Sequence, residues 1–535
     1  MTVESKADLV IVGGGLGGVA AALTAARLGR TVIMTEASDW LGGQLTTQGV
    51  PPDENAWIEE YAGSASYRDL RTRVRDHYRR NYPLSAAGKS DPALNPGRGF
   101  VSRVCHEPRV GALVLAELVS SLQADGRLTV LYEHEPVAAD RDGSRVTAVV
   151  VRDRRSGVER RLTGAYVVDA TELGDLLELA DVPHVVGAES KAETGELHAV
   201  DEADPRDQQA ISWCFAVEYR PGENHTIEKP ARYEYWRDQV DPRWPNSQLS
   251  WTDVHPITLE TRTRPIFSGA PDQGIGHDGR DLWQYRRILA RATFDDRFTG
   301  GEVSLVNWPQ IDYWELPIVG VSEAERQHAL EEARQLSLSF LYWMQTEAPR
   351  AEGGAGYPEL RLRGDVLGTA DGLAKEAYIR ESRRIKAAFT VTEEHIGVAM
   401  RGTEAGAAEF DDSVGIGHYR IDLHPSTAGR NYVDIECFPF QIPLGALIPA
   451  DVDNLLPANK NIGTTHITNG AYRLHPVEWS IGEAVGATVA QCLDRGLTPL
   501  ELRSDAHELR KLQDLLSGEL GVALTWPESV RLHRG

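Results

Sequence analysis

An α/β fold is predicted by three features of the first 36 residues. Residues 9–12 form a short apolar run, Gly13-Gly14-Gly15-Leu16-Gly17-Gly18 follows as a glycine-rich turn, and the alanine-rich stretch 19–28 has helical composition. A second apolar run, 31–35, ends at Glu36, which lies 23 residues after Gly13. Strand, tight turn, helix and second strand make a βαβ unit, whose two strands pair in parallel.

The spacing within that unit points to a dinucleotide. Gly13 permits the tight turn, Gly15 lets a pyrophosphate approach the backbone, and Gly18 lets the helix sit close to the strand. The helix N-terminus offers its N–H groups to the anion. Glu36 is placed to accept hydrogen bonds from an adenosine ribose, and its charge disfavours a 2′-phosphate, hence NADP.

Composition narrows the function classes. The chain has 535 residues, 41% hydrophobic and 25% charged, which suits a folded protein of several structural units. A net charge of −23 disfavours nucleic acid and anionic membrane as partners. The four cysteines, Cys105, Cys214, Cys437 and Cys492, are scattered without a CxxC pair, so neither a disulfide framework nor a thiolate zinc site is expected, and no metal site is assigned. No apolar run is long enough to span a bilayer and no leader pattern precedes the first strand, so a cytoplasmic location is expected. The excess of Arg over Lys is compatible with a GC-rich bacterial source.

Further motifs specify the cofactor. Leu41-Gly42-Gly43-Gln44 resembles the glycine pair with which glutathione-reductase-type flavoproteins contact FAD. Asp169-Ala170-Thr171 with Gly174-Asp175, then Arg380-Glu381-Ser382-Arg383-Arg384, Asp412-Ser413-Val414, Ile421-Asp422-Leu423-His424-Pro425, Gln441-Ile442-Pro443-Leu444 and Asn454-Leu455-Leu456-Pro457-Ala458 follow in order. Gly463-Thr464-Thr465-His466, Arg473-Leu474-His475-Pro476 and Gly482-Glu483-Ala484-Val485-Gly486-Ala487 close the series. The chain thus resembles the FAD-dependent oxidoreductase family of the glutathione-reductase-type Rossmann flavoproteins. The resemblance implies bound FAD, contacted by Gly13, Gly15, Gly18, Glu36, Gly42, Gly43, Gln44, Asp175, Asn461, Gly482 and Ala484. In that reading Gly482, Ala484 and Gly486 open a helix running to about Cys492, with its N-terminal N–H groups toward the isoalloxazine C2 carbonyl. Asp175 has a simpler alternative role as a first-turn helix carboxylate. This chain departs from the family's "Ala-Gly-Arg" at Pro457-Ala458-Asn459-Lys460-Asn461.

The organisation expected is a Rossmann-type FAD-binding domain, discontinuous in sequence (1–50, 100–185 and 400–500), with an inserted α+β substrate domain at 186–399. Residues 51–99 read as an aperiodic excursion and 501–535 as a C-terminal tail. Helices are expected over 110–122, 324–343 and 372–396, and strands over 128–132, 145–152 and 165–168. Eight of the twelve tryptophans fall in the insert, and Asn307 and Trp308, in a segment resembling one near the family's active site, are the leading substrate contacts. Of four histidines near the cofactor motifs, His418, His424, His466 and His475, the expected catalytic base is His466, then His475, with Arg473 holding an anionic substrate or the flavin O2 region or forming a structural ion pair.

The chain carries no second GxGxxG unit and no CxxC, so it lacks the NAD(P)H domain and redox disulfide of the disulfide reductases. Electrons are then expected to leave to oxygen, a quinone or another carrier. The reading is an FAD-dependent dehydrogenase or oxidase moving a hydride from a small hydroxylated or cyclic metabolite to the flavin N5. The alternatives are a flavin-dependent monooxygenase using external NAD(P)H, and a non-redox lyase, isomerase or binding protein with a structural dinucleotide. Covalent flavin attachment, with Cys105 a weak candidate, and oligomeric state stay open.

Overall fold

The computed structural model describes residues 3–268 and 281–535. Its N-terminal half is built from β1 (Val3–Val12), α1 (Leu16–Arg27), β2 (Val32–Glu36), α2 (Ala65–Asn81), α3 (Pro108–Ala124), β3 (Leu128–Tyr132), β4 (His134–Asp142), β5 (Arg145–Asp153) and β6 (Glu159–Asp169). These strands lie in the order β3-β2-β1-β6-β5-β4, and Leu455–Pro457, nearly 300 residues later, pairs in parallel with the end of β6. The β1, β2, β3 and β6 pairings are parallel, with Leu9 opposite both Val32 and Tyr166, whereas β4 and β5 form an antiparallel extension. The result is the Rossmann-like α/β core expected, its central strands buried on both faces as parallel strands require.

A second, four-stranded antiparallel sheet is assembled in the order β8-β9-β7-β10 from β7 (Phe215–Tyr219), β8 (Arg287–Leu289), β9 (Val303–Val306) and β10 (Leu360–Leu362). Between its last two strands in sequence runs α4 (Glu323–Thr346), started by a Ser322–Glu325 capping box and covering the expected 324–343 helix. Two C-terminal helices complete the frame, α5 (His466–Tyr472) and α6 (His475–Arg495). Residues 501–535, expected as a tail, contribute helical segments and bury Leu502, Leu512, Leu516 and Trp526.

Three expectations are corrected. Residues 372–396 are not a helix. Gly372 has a positive φ of 81°, and the backbone N–H groups bond across to other segments, Glu376 N to Thr47 O, Tyr378 N to Ser212 O and Ile385 N to Asn461 O; only Glu393–Ile396 is helical. Residues 51–99 are not aperiodic throughout, because Tyr67, Leu70, Val74 and Tyr78 form the buried stripe of α2. Two of its arginines, Arg71 and Arg75, turn inward onto Glu54 and Glu59 and mask the apolar period.

The third correction concerns the C-terminal helix, which begins at His475 with Pro476 in its first turn and not at Gly482. Gly482 and Ala484 lie inside α6. A Cβ on Gly482 would stand 2.1 Å from the Gly17 carbonyl oxygen, and one on Gly486 2.6 Å from that of Ala21. These small residues therefore pack α6 against α1 and are not an N-terminus aimed at a cofactor. Replacing Gly482 or Gly486 by Ala is expected to destabilise the fold by about 3 kcal/mol or more, since the obstacle is backbone. Denaturant unfolding checks this, and a loss below about 1 kcal/mol would show that α1 and α6 are not in close register.

Candidate cofactor and substrate site

The glycine turn is a meeting point of backbones. Gly13 has φ +102°, and a Cβ there would lie 2.2 Å from the Ala170 carbonyl oxygen at the end of β6. The equivalent distances are 1.7 Å from Gly17 to Ala458 O and 2.1 Å from Gly18 to Gly13 O. The Gly42-Gly43 loop folds onto the same turn, Gly42 N donating to Gly14 O at 2.8 Å. Gly15, by contrast, faces side-chain oxygens, those of Glu172 and Glu478.

Carboxylates occupy the donors of this turn. Glu478 Oε1 accepts from Gly17 N at the start of α1 at 3.0 Å, and Glu36 Oε2 accepts from Gly14 N at 2.9 Å. Burial, then the charge of Glu376, pushes the Glu36 carboxyl up to about 8, while burial, then Glu172, pushes Glu478 up to about 7. Gln44 Nε2 donates to Glu478 and to the Arg473 carbonyl, and Lys460 pairs with Glu172.

A cavity of about 270 Å³ lies beyond, walled by arginines, aspartates and aromatic rings, with Asn307, Trp308, Arg473 and His424 among its lining. His424 Nδ1 meets Asp312 Oδ2 at 2.6 Å. Asp312 also receives Arg380 Nη2 at 3.0 Å and Ser212 Oγ at 2.5 Å. Burial alone would raise the Asp312 carboxyl, but Arg380 and His424 outweigh it and hold it below the usual range, so it stands as an ionised acceptor. Nδ1 of His424 thus faces Asp312, and its Nε2 lies 3.7 Å from Asp422 Oδ2, so the ring sits between two carboxylates at the cavity wall.

Comparison with known proteins now bears on the site. The family model for FAD dependent oxidoreductases matches residues 8–516. The chain belongs to this family. A menaquinone reductase of Mycolicibacterium smegmatis is 32% identical over 151 residues, which is 28% of this chain and 35% of that protein, so the chain spans about a third of that relative's length. Among solved structures, a myxobacterial chondrochloren halogenase is 13% identical, covers 97% of this chain and 80% of its own, and has a TM-score of 0.33. A geranylgeranyl bacteriochlorophyll reductase-like protein from Thermoplasma acidophilum covers 97% and 84% at 9% identity, with a TM-score of 0.28. The family assignment rests on the family model.

The residues present fit FAD. Buried polar atoms without a partner run from the glycine turn to the cavity: Glu172 Oε1 beside Gly15 and Gly43, then Gln44 Oε1, then Gln48 Nε2 and Asn469 Oδ1. Gln48 and Asn469 use their other atoms on Ile379 N and Arg380 O, next to the cavity residues Tyr378 and Arg380. Buried polar groups without partners at these places are ones that a bound polar ligand would satisfy. Glu36, Gly15, Gly43 and Gln44 would hold the dinucleotide, and Glu478 sits where a phosphate would meet the N-terminus of α1.

The other sequence-selected residues separate. Asn307, Trp308 and Arg473 come together in the cavity wall. His475 lies beside that wall, its Nδ1 accepting from Asp53 N at 3.1 Å, and burial, then Arg286, pushes it down to about 3, so it stays neutral. His466 is not in the cavity wall. Its Nδ1 pairs with Glu381 Oε1 at 3.0 Å and its backbone N donates to Glu189, neither of which lines the cavity. His418 is packed among Trp57, Trp526 and His533. Asp175 pairs with Arg383 in the first turn of Asp175–Leu179, the simpler role. Asn461 ties Asn459 N to the Asp169 carbonyl behind the glycine turn. Cys105 is fully buried, which pushes its thiol up to about 12. Asp312 and Arg286 carry no motif, and His424 is one of four candidate histidines but not the preferred one; its place one residue past the short strand Ile421–Leu423, two residues from Asp422, was the available signal. Among the described residues no helix is long and apolar enough to cross a membrane.

The raised carboxyls fix a pH dependence. Glu36 and Glu478 keep protons in the folded chain that the unfolded chain releases above 4.5, so the stability they contribute is lost as pH rises toward about 8 and about 7 respectively. His475, His106 and His418, depressed to about 3, about 4 and about 3 mainly by burial, oppose this only below their ordinary 6.5. From about pH 6.5 to about pH 8 the unfolding free energy of the FAD-free chain is expected to fall, by on the order of 1 kcal/mol per pH unit for each such carboxyl. Glu36→Gln should flatten the slope in urea titrations, and a stability that rises across this window would contradict the assignment.

Proposed function

We propose that this FAD-dependent oxidoreductase is a dehydrogenase or oxidase, of glutathione-reductase-type arrangement, that oxidises a small hydroxylated metabolite with His424 as base. The observation that carries the reading is the His424–Asp312 pair facing a cavity at the end of the dinucleotide track. Bound FAD supplies the hydride acceptor, at its N5. His424 Nε2 takes the hydroxyl proton as the carbon gives up its hydride, so a secondary alcohol leaves as a ketone. Asp312, itself fixed by Arg380 and Ser212, orients the ring and stabilises the imidazolium that forms. For the electrons' onward path a quinone is the preferred acceptor, supported by the partial likeness to a menaquinone reductase.

Anaerobic mixing of the FAD-loaded protein with hydroxylated compounds tests the reading, with bleaching of the flavin band as readout. His424→Gln should slow bleaching by about 10²–10⁴-fold with FAD content unchanged. Asp312→Asn should slow it less and shift its pH profile. Wild-type rates in His424→Gln would remove the histidine from the mechanism. Catalytic bleaching by NADPH, with no hydroxylated donor effective, would put the monooxygenase reading in its place.

A further inference from the structure

We propose, resting on the reading above, that the substrate is a small carboxylic acid whose carboxylate is held by Arg286, with Asn307 and Trp308 as further donors. Among the described residues six guanidinium groups line the cavity, those of Arg262, Arg264, Arg286, Arg380, Arg420 and Arg473. Five are hydrogen-bonded to carboxylates: Arg262 and Arg264 share Asp253, Arg380 holds Asp312, Arg420 holds Asp434 and Arg473 reaches Asp422 at 3.4 Å. Arg286 is the exception. It is 8% exposed, its Nε and Nη1 have no hydrogen-bond partner, and its ion-pair contact among the described residues is Asp53 Oδ1 at 3.6 Å, beyond hydrogen-bond reach. The Arg286 guanidinium also lies 5.0 Å from the centre of the Tyr285 ring, a contact that takes up none of its N–H donors.

Most of the other partnerless buried atoms of the wall are donors too, Arg380 Nε and Arg473 Nε among them, while Asp53 Oδ1 is a partnerless acceptor and the Tyr432 hydroxyl can act either way. Asn307 Nδ2 and Trp308 Nε1 are donors, buried at 4% and 1% exposure, and neither has a partner. A buried guanidinium and two buried N–H donors without acceptors are costly unless a ligand supplies oxygens. A carboxylate answers all three, and charge-assisted pairing with arginine is the strongest contact available to it. The cavity of about 270 Å³ lies at the lower end of ligand-pocket volumes, which run from about 300 to 1,000 Å³, so it suits a small acid.

The test is equilibrium binding to the oxidised, FAD-loaded protein by calorimetry, which needs no turnover. Lactate, malonate and malate are titrated against the neutral lactamide and malonamide, into wild type, Arg286→Gln and Arg286→Lys. At least one carboxylate should bind at least tenfold more tightly than its amide, and Arg286→Gln should lose tenfold or more of that affinity with FAD content and thermal midpoint retained. Arg286→Lys keeps the charge without the planar fork and should lose less, so it reads the site even where the glutamine variant fails to fold. Equal binding of acids and amides, unchanged affinity in the arginine variants, or no binding of any acid would overturn the inference. Carboxylate binding with no flavin bleaching by any hydroxy acid would uphold this site and sink the dehydrogenase reading. Bleaching by neutral alcohols at a rate indifferent to Arg286→Gln would do the reverse.

Discussion

Backbone-to-backbone contact at the glycine turn is the constraint on which the rest of the structure depends. Four stretches of chain, near residues 13–18, 170, 458 and 482, converge so closely that a single methyl group at Gly13, Gly17 or Gly482 would overlap a carbonyl oxygen of another, and one at Gly18 the carbonyl oxygen of Gly13 in its own turn. Each contact fixes a different element. Ala170 follows β6, Ala458 follows the strand that extends the sheet, and Gly482 sits in α6. The convergence therefore sets the sheet, the two crossing helices and the mouth of the cofactor track together. Close packing of this kind leaves little freedom for relaxation.

Electrostatics at the turn follow from that geometry. The start of α1 favours negative charge, and the chain places Glu36, Glu172 and Glu478 around it. Burial displaces Glu36 and Glu478 upward, with the charge of Glu376 adding to the first and that of Glu172 to the second. A group poised near neutrality sheds its charge at small cost when another anion arrives. The same residues thus satisfy the turn's N–H groups and can yield to a pyrophosphate.

How much of this was legible in the sequence varies with the range of the physics involved. The βαβ unit was readable because strand period, turn glycines and helix composition all act within 36 residues. The role of Gly482 was not, because small residues at a helix start and at a helix crossing look alike; only Pro476 marked the true beginning of α6. Residues 372–396 misled for the opposite reason, since their composition suits a helix while their hydrogen bonds go to distant segments. Asn307, Trp308 and Arg473 were found through local resemblance and do meet in one wall. Asp312 and His424 are 112 residues apart, and Arg286 is recognisable only by the partner it lacks. Neither long-range pairing nor the absence of a pairing leaves a local pattern.

The cavity's charge network also explains why the antiparallel insert and the Rossmann-like core must form one unit. Asp312 comes from the insert, Arg380 from the extended segment that replaces the expected helix, and His424 from the C-terminal third. Taking any one away would leave the others buried without compensation, a larger loss than the pair contributes when intact. Apolar side chains of similar volume would hold these segments together at least as well. What they could not do is fix an imidazole tautomer and keep a carboxylate ionised beside a pocket. The buried ions are thus better understood as the means of orienting His424 than as a source of stability, and along the extended path of 372–392 Arg380 reaches Ser212, Glu381 reaches His466 and Arg384 reaches Glu189, with Glu381 and Arg384 also paired to each other.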